Sequence, residues 1–220
     1  MRFNIIVSLV CTVLSLSSCM PESEPQDNNI ETEEETEIVL DTVKEIETGA
    51  FEIKQNASSV TWKGERITGE FHTGTVDIKS GNIRTTEAGI IGGEMVLDMT
   101  SMKELKPESE ETTIVVMGYL QSERFFNTDK YPNAVLTIKG EKENKLLCDL
   151  TIRNVKKEIL VPFTKTLNND TIKANANFKI DRTDWGIDYR SAKNYKDLGM
   201  MAIKDSIGFK TAILAVKKTN

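Results

Sequence analysis

From Phe51 onwards, apolar residues recur at every second position in a series of short runs. Gly, Asn or Asp residues separate most of these runs from the next. This period of two predicts short β-strands that bury one face. Eight or so strands at such spacing favour an all-β antiparallel sandwich or barrel. The runs are AFEIKQ, SVTWKGE, GGEMVLDMTSM, NAVLTIKG, KLLCDLTIRN, KEILVPF, IKANANFKID and DSIGFKTAILAVK.

The interior of such a barrel is the central functional question. An antiparallel barrel of about eight strands encloses room for one small or slender ligand. The alternating residues, such as Trp62 in SVTWKGE, fit two arrangements equally well. They form either a core filled by side chains or the wall of an apolar channel.

The N-terminus has the layout of a secretory signal peptide. Arg2 precedes an apolar stretch from Ile5 to Leu16, and small residues lead to Cys19. This stretch is shorter than the roughly 20 residues of a membrane-spanning helix. The segment Leu-Ser-Ser-Cys that ends at Cys19 resembles a bacterial lipobox, which implies a signal peptide over 1–18 and a lipidated Cys19. An ordinary signal peptide with an incidental Cys19 is the alternative.

Residues 19–48 form an acidic segment. After Cys19 they contain 11 acidic residues and one lysine, and they have no aromatic side chain. This composition predicts a disordered, self-repelling linker. It also resembles surface-export signals of some Gram-negative lipoproteins. The whole chain carries −6, but residues 49–220 alone carry +3. They have no basic patch with interleaved aromatic residues, so we expect no nucleic-acid partner.

Cysteine usage gives the domain no disulfide. Cys11 lies in the predicted signal peptide and Cys19 is the predicted lipid site, so Cys148 alone remains. Cys148 lies in the strand-like run KLLCDLTI and is expected to be a small buried apolar residue rather than a nucleophile. One segment departs from the strand pattern, and it predicts a short helix around 110–124, after Pro107.

The stretch FKIDRTDWGIDYR, residues 178–190, raises the question of catalysis. Asp181 and Asp184 are candidates for the carboxylate pair of a glycosidase. Sugar clefts tend to be rich in aromatic residues, and the aromatic content here is only 6%. We therefore interpret Asp181 and Arg182 as a charge-assisted hydrogen bond that closes the sheet. Trp185 is expected to pack over the barrel end with its N–H hydrogen bonded.

His72 is the only histidine of the chain. The sequence contains no GxSxG, HExxH or CxxC motif and no glycine-rich phosphate loop with a lysine. One histidine cannot build a multi-histidine zinc site, so no metal site and no cofactor are predicted. We expect His72 at a barrel mouth, where it contacts a ligand headgroup rather than acting as a general base.

Five segments carry specific motifs in a fixed order, and they are 60–83, 92–102, 120–138, 148–163 and 178–191. The most specific motifs are the Phe-Phe-x-x-x-x-Tyr-Pro segment that starts at Phe125, LTIRNVKKE that ends at Glu158, and IDRTDWGI that ends at Ile187. Together they resemble the YceI-like family of bacterial proteins over most of 50–216.

Two positions depart from that family. Asn154 lies where the family commonly has Gly, and Trp185 lies where it often has Phe. Asn tolerates a left-handed backbone, so we expect the turn at Asn154 to persist. The larger ring of Trp185 would narrow the barrel end.

The resemblance implies an eight-stranded, lipocalin-like antiparallel barrel over 49–220, with a helix beside it. It also implies a carrier of polyisoprenoid lipids, such as isoprenoid quinones, in an apolar channel. We expect a non-enzymatic, lipid-anchored envelope protein on the outer membrane, facing the periplasm or the cell surface. The expected ligand contacts are Val60, Trp62, His72, Met95, Leu97, Phe125, Phe126, Leu136, Ile138, Phe178, Ile180 and Trp185, with the Asp181–Arg182 region as a further candidate for headgroup hydrogen bonds.

Two other classes of function remain open. A barrel filled by its own side chains would serve as an interaction module of the envelope. An enzyme acting on small apolar molecules would depend on His72. The sequence also leaves open the identity of the ligand, the choice between storage and transport, and whether the protein forms a homodimer.

Overall fold

The computed structural model describes residues 49–168 and 170–218, which fold as a β-barrel with one α-helix beside it. The predicted signal peptide, Cys19 and the acidic linker lie outside the described residues. The elements are β1 (Gly49–Ile53), β2 (Ser59–Glu65), β3 (Phe71–Thr86), β4 (Gly89–Glu104), α1 (Glu110–Gln121), β5 (Asn133–Lys142), β6 (Lys145–Ile152), β7 (Val155–Asn168), β8 (Thr171–Asp181) and β9 (Ser206–Lys217).

The sheet is antiparallel and closes on itself. Strands β2 to β9 follow one another around the barrel, and β9 returns to pair with β2. Strands β1 and β2 run in the same direction between β3 and β9, so they form one barrel strand that the 3₁₀ turn Gln55–Ala57 interrupts. The predicted eight-stranded antiparallel barrel is therefore confirmed.

Two tight turns set the register of β5, β6 and β7. Glu143 and Asn144 have φ angles of 52° and 58°, and Arg153 and Asn154 have φ angles of 50° and 61°. Two central residues with positive φ form hairpin turns whose twist matches that of the strands. The expected left-handed backbone at Asn154 is confirmed, since asparagine adopts it at low cost.

The inward-facing side chains form one apolar cluster along the barrel. On β6, every second residue from Leu146 to Ile152 is buried, as the alternation predicts. Cys148 lies in this row and is fully buried. Burial, with a smaller effect of Asp149, raises the pKa of the Cys148 thiol to about 12. The thiol is thus a small buried side chain, as expected from the sequence.

Helix α1 agrees with the predicted helix over 110–124. Its N-cap is Ser109, whose Oγ accepts a hydrogen bond of 3.1 Å from the Thr112 N–H. Met117 and Leu120 pack against the core. The chain then turns back, because the Phe126 N–H donates to the Leu120 carbonyl at 3.0 Å. No helix in the described part of the chain is long and apolar enough to cross a lipid bilayer.

Candidate functional site

An apolar cavity of about 80 Å³ lies inside the barrel, near the end at which β2, β4 and β8 finish. Strand β2 contributes Val60 and Trp62 to its wall, and β4 contributes Met95 and Leu97. All four side chains are buried. The structure therefore brings together the residues that the alternation had assigned to one face of each strand.

Aromatic side chains form one layer of this wall. Phe178 on β8 is directly opposite Phe209 on β9, and Phe209 is directly opposite Trp62 on β2. The rings of Phe178 and Phe209 stack with their centroids 5.5 Å apart. The Trp62 indole N–H donates to the Thr75 carbonyl at 3.3 Å, so its polar atom has a partner away from the cavity.

The turn after α1 places two more predicted residues in the wall. Phe125 and Phe126 are buried, and their rings meet edge to face with centroids 5.4 Å apart. Leu136 on β5 completes the predicted residues that line the cavity.

The predicted set omits several residues of the wall. Met99 and Met102 on β4 line the cavity, and so does Phe209. Alternation places Met99 on the same face as Met95, so it could have been included. Ile203 also lines the cavity, but it lies in the irregular segment before β9, where no period marks the inward side.

Four residues of the predicted set do not line this cavity: His72, Ile138, Ile180 and Trp185. Ile138 and Ile180 are buried elsewhere in the barrel core. Trp185 is also buried, and its indole N–H donates to the Leu150 carbonyl at 3.1 Å, so the expected partner of this N–H is present.

Arg182 is a buried cation beside the cavity, with a side chain that is 0% exposed. Its guanidinium donates to the carbonyl oxygens of Ile187 at 2.6 Å, Ile203 at 3.2 Å and Lys204 at 3.3 Å, and to Asp205 Oδ1 at 3.3 Å. Burial lowers the pKa of Arg182, and the Asp205 carboxylate opposes this effect. These bonds fasten the segment between β8 and β9, so the cluster is structural.

The two carboxylates of FKIDRTDWGIDYR have separate surroundings. Asp181 Oδ1 accepts hydrogen bonds from the N–H and the hydroxyl of Thr183, and Lys193 pairs with Oδ2. Burial raises the pKa of Asp181, but the bonds from Lys193 and Thr183 outweigh it and hold the pKa below its usual value. Asp184 is exposed. Asp181 thus caps the turn Arg182–Trp185.

His72 lies at the same end of the barrel and is bound to Glu104. Its Nδ1 is 2.7 Å from Glu104 Oε1, and its Nε2 is 3.8 Å from Glu70 Oε1. The His72 side chain is 21% exposed and that of Glu104 only 3%. The other Glu104 oxygen, Oε2, is buried and has no hydrogen-bond partner among the described residues. Nothing in the sequence pattern had marked Glu104.

Gly74 separates Trp62 from Glu104 in one row across β2, β3 and β4. Residues directly opposite each other point to the same face of a sheet, so Glu104 faces inward like Trp62. A Cβ atom on Gly74 would be 2.3 Å from the Trp62 ring. The absence of a side chain at Gly74 therefore leaves room for the Trp62 ring next to this position of β3.

Among the described residues, no three His, Cys, Asp or Glu side chains form a group that could hold a metal ion.

A family model described as "YceI-like domain" matches residues 51–215, which is more than half of the chain. The comparison with curated proteins finds no significant match.

Two solved structures have similar folds. BcnA of Burkholderia cenocepacia aligns with a TM-score of 0.56 and 17% identity, over 74% of this chain and 98% of BcnA. A polyisoprenoid binding domain from Saccharophagus degradans, implicated in plant cell wall breakdown, aligns with a TM-score of 0.56 and 14% identity. That alignment covers 77% of this chain and 99% of the domain. At these identities the matches show a shared fold.

Proposed function

Because this chain belongs to the YceI-like domain family, we propose that its barrel binds a polyisoprenoid or a similar long apolar lipid, such as an isoprenoid quinone, for storage or transport. The observation that carries the proposal is the apolar cavity between Trp62, Phe178 and the methionines of β4. The name of the Saccharophagus degradans neighbour, a polyisoprenoid binding domain, supports the same class of ligand.

The size of the cavity sets a condition on this role. Its volume is about 80 Å³, whereas a cavity of about 150 Å³ is known to accept a benzene ring. A long lipid therefore enters only if side chains of the wall move aside. Met95, Met99 and Met102 are suited to this, because methionine has three rotatable bonds and fills irregular space.

The energetics favour such an opening for a long chain. Burial of one methylene contributes about 0.8 kcal/mol, so a five-carbon isoprene unit contributes roughly 4 kcal/mol before ordering costs. Repacking strain in a protein core is typically about 1–3 kcal/mol. Association itself costs a further amount of about 4–15 kcal/mol. Several buried units are therefore needed to outweigh both costs, so a long isoprenoid binds where a short one fails.

Native mass spectrometry of the protein purified from a bacterial host, followed by organic extraction, tests the proposal. We expect a one-to-one adduct whose extracted lipid shows isoprenoid spacing. The matched variants are Ala134→Leu and Ala212→Leu. Ala134 lines the cavity and Ala212 is exposed on the outside of β9. Ala134→Leu should lose the adduct and keep the fold, and Ala212→Leu should keep both.

The small cavity also favours the second candidate, a filled barrel that serves as an interaction module of the envelope. This candidate predicts a clean ligand-free mass, even after incubation with isoprenoid quinones. It also predicts that Trp62→Ala lowers stability without changing any lipid load. A ligand-free mass under both conditions would reject the carrier role.

The location of the protein is a further part of the proposal. The lipobox-like segment that ends at Cys19 supports a lipid anchor, with residues 19–48 as the linker. The role we propose is binding at the bacterial envelope and requires no catalytic step. Cys19→Ser should move the protein from the membrane fraction to the soluble fraction, and intact-mass analysis of the mature N-terminus should show loss of acyl chains.

A further inference from the structure

The buried carboxylate of Glu104 has one oxygen with a partner and one without. Oε1 is 2.7 Å from His72 Nδ1, and Oε2 has no hydrogen-bond partner among the described residues. A buried carboxylate oxygen that lacks a hydrogen bond is costly, so a donor from outside the protein, an ordered water or a ligand group, is expected to satisfy it. Among the side chains that the structure describes, Glu104 is therefore the buried polar group whose hydrogen bonds the fold leaves incomplete.

The position of Glu104 relates it to the cavity. It faces inward in the same row as Trp62, and Gly74 between them carries no side chain. Met102, two residues earlier on the same face of β4, lines the cavity, and so does Gly64, which pairs with His72. Neither His72 nor Glu104 lines the cavity itself, but a chain whose polar end extends past Gly64 and Met102 would meet this pair.

The chemistry of this pair sets what it accepts. With Glu104 ionised, both of its oxygens are acceptors, so His72 Nδ1 donates to Oε1 and Oε2 remains an acceptor. A hydroxyl group satisfies this oxygen. A carbonyl or ether oxygen cannot, since it has no proton to donate, and a phosphate would bring a second negative charge to a buried one.

The other charged groups near the His72–Glu104 pair do not reverse its preference for a hydroxyl group. Lys204 lines the cavity, but its Nζ lies 2.5 Å from Glu65 Oε1, so its charge is compensated. Arg182 donates to Asp205 and to three carbonyl oxygens. Glu70, near His72 Nε2, is paired with Arg66, so its charge is compensated as well.

We propose that His72 and Glu104 form a headgroup subsite in which Glu104 Oε2 accepts a hydrogen bond from an uncharged hydroxyl. The ligand class is then a long isoprenoid alcohol or hydroquinone, in preference to a quinone or a prenyl phosphate. This inference rests on the proposed lipid-binding function and specifies its ligand.

Isothermal titration calorimetry of the full chain in detergent tests the subsite with three probes of one chain length: geranylgeraniol, its methyl ether and its phosphate. We expect the alcohol to bind about 10- to 100-fold more tightly than the other two, as befits a hydrogen bond to a charged group. Glu104→Gln and Glu104→Met should reduce this preference to about threefold or less, because both variants remove the charged acceptor of the hydrogen bond. Thermal melting verifies that each variant is folded.

Glu141→Gln is the matched control, because Glu141 is also a partly buried carboxylate of the barrel but is paired with Lys165. It should keep the full preference. Equal binding of all three probes by the wild-type protein overturns the subsite and leaves the carrier function standing. A preference that survives both Glu104 variants overturns it as well. Binding of none of the probes rejects both the subsite and the proposed function.

Discussion

Arg182 and Glu104 are both charged, both buried, and both at the same end of the barrel, yet their surroundings differ. Arg182 donates to three carbonyl oxygens and to Asp205. Glu104 has His72 at one oxygen and no partner at the other among the described residues. Burial of a charge is tolerated when its hydrogen bonds are satisfied. Arg182, whose guanidinium nitrogens all have acceptors, therefore stabilises the fold, and Glu104, which keeps one oxygen without a donor, is available to a ligand.

The largest effect on stability should come from removing the guanidinium of Arg182. Arg182→Met leaves three carbonyl oxygens and the Asp205 carboxylate without their donor, so we expect a loss of about 3–5 kcal/mol in the free energy of unfolding. Urea denaturation measures this loss. Arg66→Met is the matched control, because Arg66 pairs with Glu70 on the surface, and it should change stability little. Equal losses in both variants would contradict the comparison.

The second effect concerns Gly74, which lies between Trp62 and Glu104 across β2, β3 and β4. In Gly74→Ala, the new Cβ would lie 2.0 Å from the Lys103 carbonyl oxygen and 2.3 Å from the Trp62 ring. We expect overpacking to lower stability by about 1–3 kcal/mol. Gly64→Ala is the control, since a Cβ there meets nothing within 4 Å. Differential scanning calorimetry of both variants decides whether the close contact at Gly74 matters.

Cys148 tests the burial of a titratable group that forms no ion pair. Its thiol pKa is raised from 9.0 to about 12, so the neutral form is favoured in the folded state. The unfolded chain loses this proton first as the pH rises above 9. Stability should therefore be complete below pH 9 and fall towards pH 12, by up to about 1.4 kcal/mol per pH unit. Denaturation curves of Cys148→Ala should lack this part of the decline, and identical slopes would refute it.

The smallest effect on stability should come from Glu104 itself. Glu104→Met removes a carboxylate with an unsatisfied oxygen, so we expect stability to stay within about 1 kcal/mol of the wild type or to rise. Denaturation under the conditions used for Arg182→Met gives a direct contrast. A loss as large as that of Arg182→Met would mean that Glu104 is structural and would remove the contrast between the two groups.

The alternation of apolar residues predicted the local structure well. It placed the strands, the inward faces of β2, β4 and β6, and the burial of Cys148, because a strand buries every second residue wherever it lies in the fold. It also placed six of the predicted contacts in one cavity wall, and the Phe-Phe motif added Phe125 and Phe126. It did not find Ile203 as a wall residue, since Ile203 lies in an irregular segment. The path of that segment depends on distant hydrogen bonds, such as the one from Arg182 to the Ile203 carbonyl.

The residue pattern alone thus sufficed for the strands, the turn at Asn154 and the family. The size of the cavity and the pairing of His72 with Glu104 required the folded chain. Thirty-two positions separate His72 from Glu104, and the register of β3 with β4 brings them together. Strand propensity acts between neighbours in sequence, whereas the hydrogen bonds of a buried charge depend on which strands become neighbours in space.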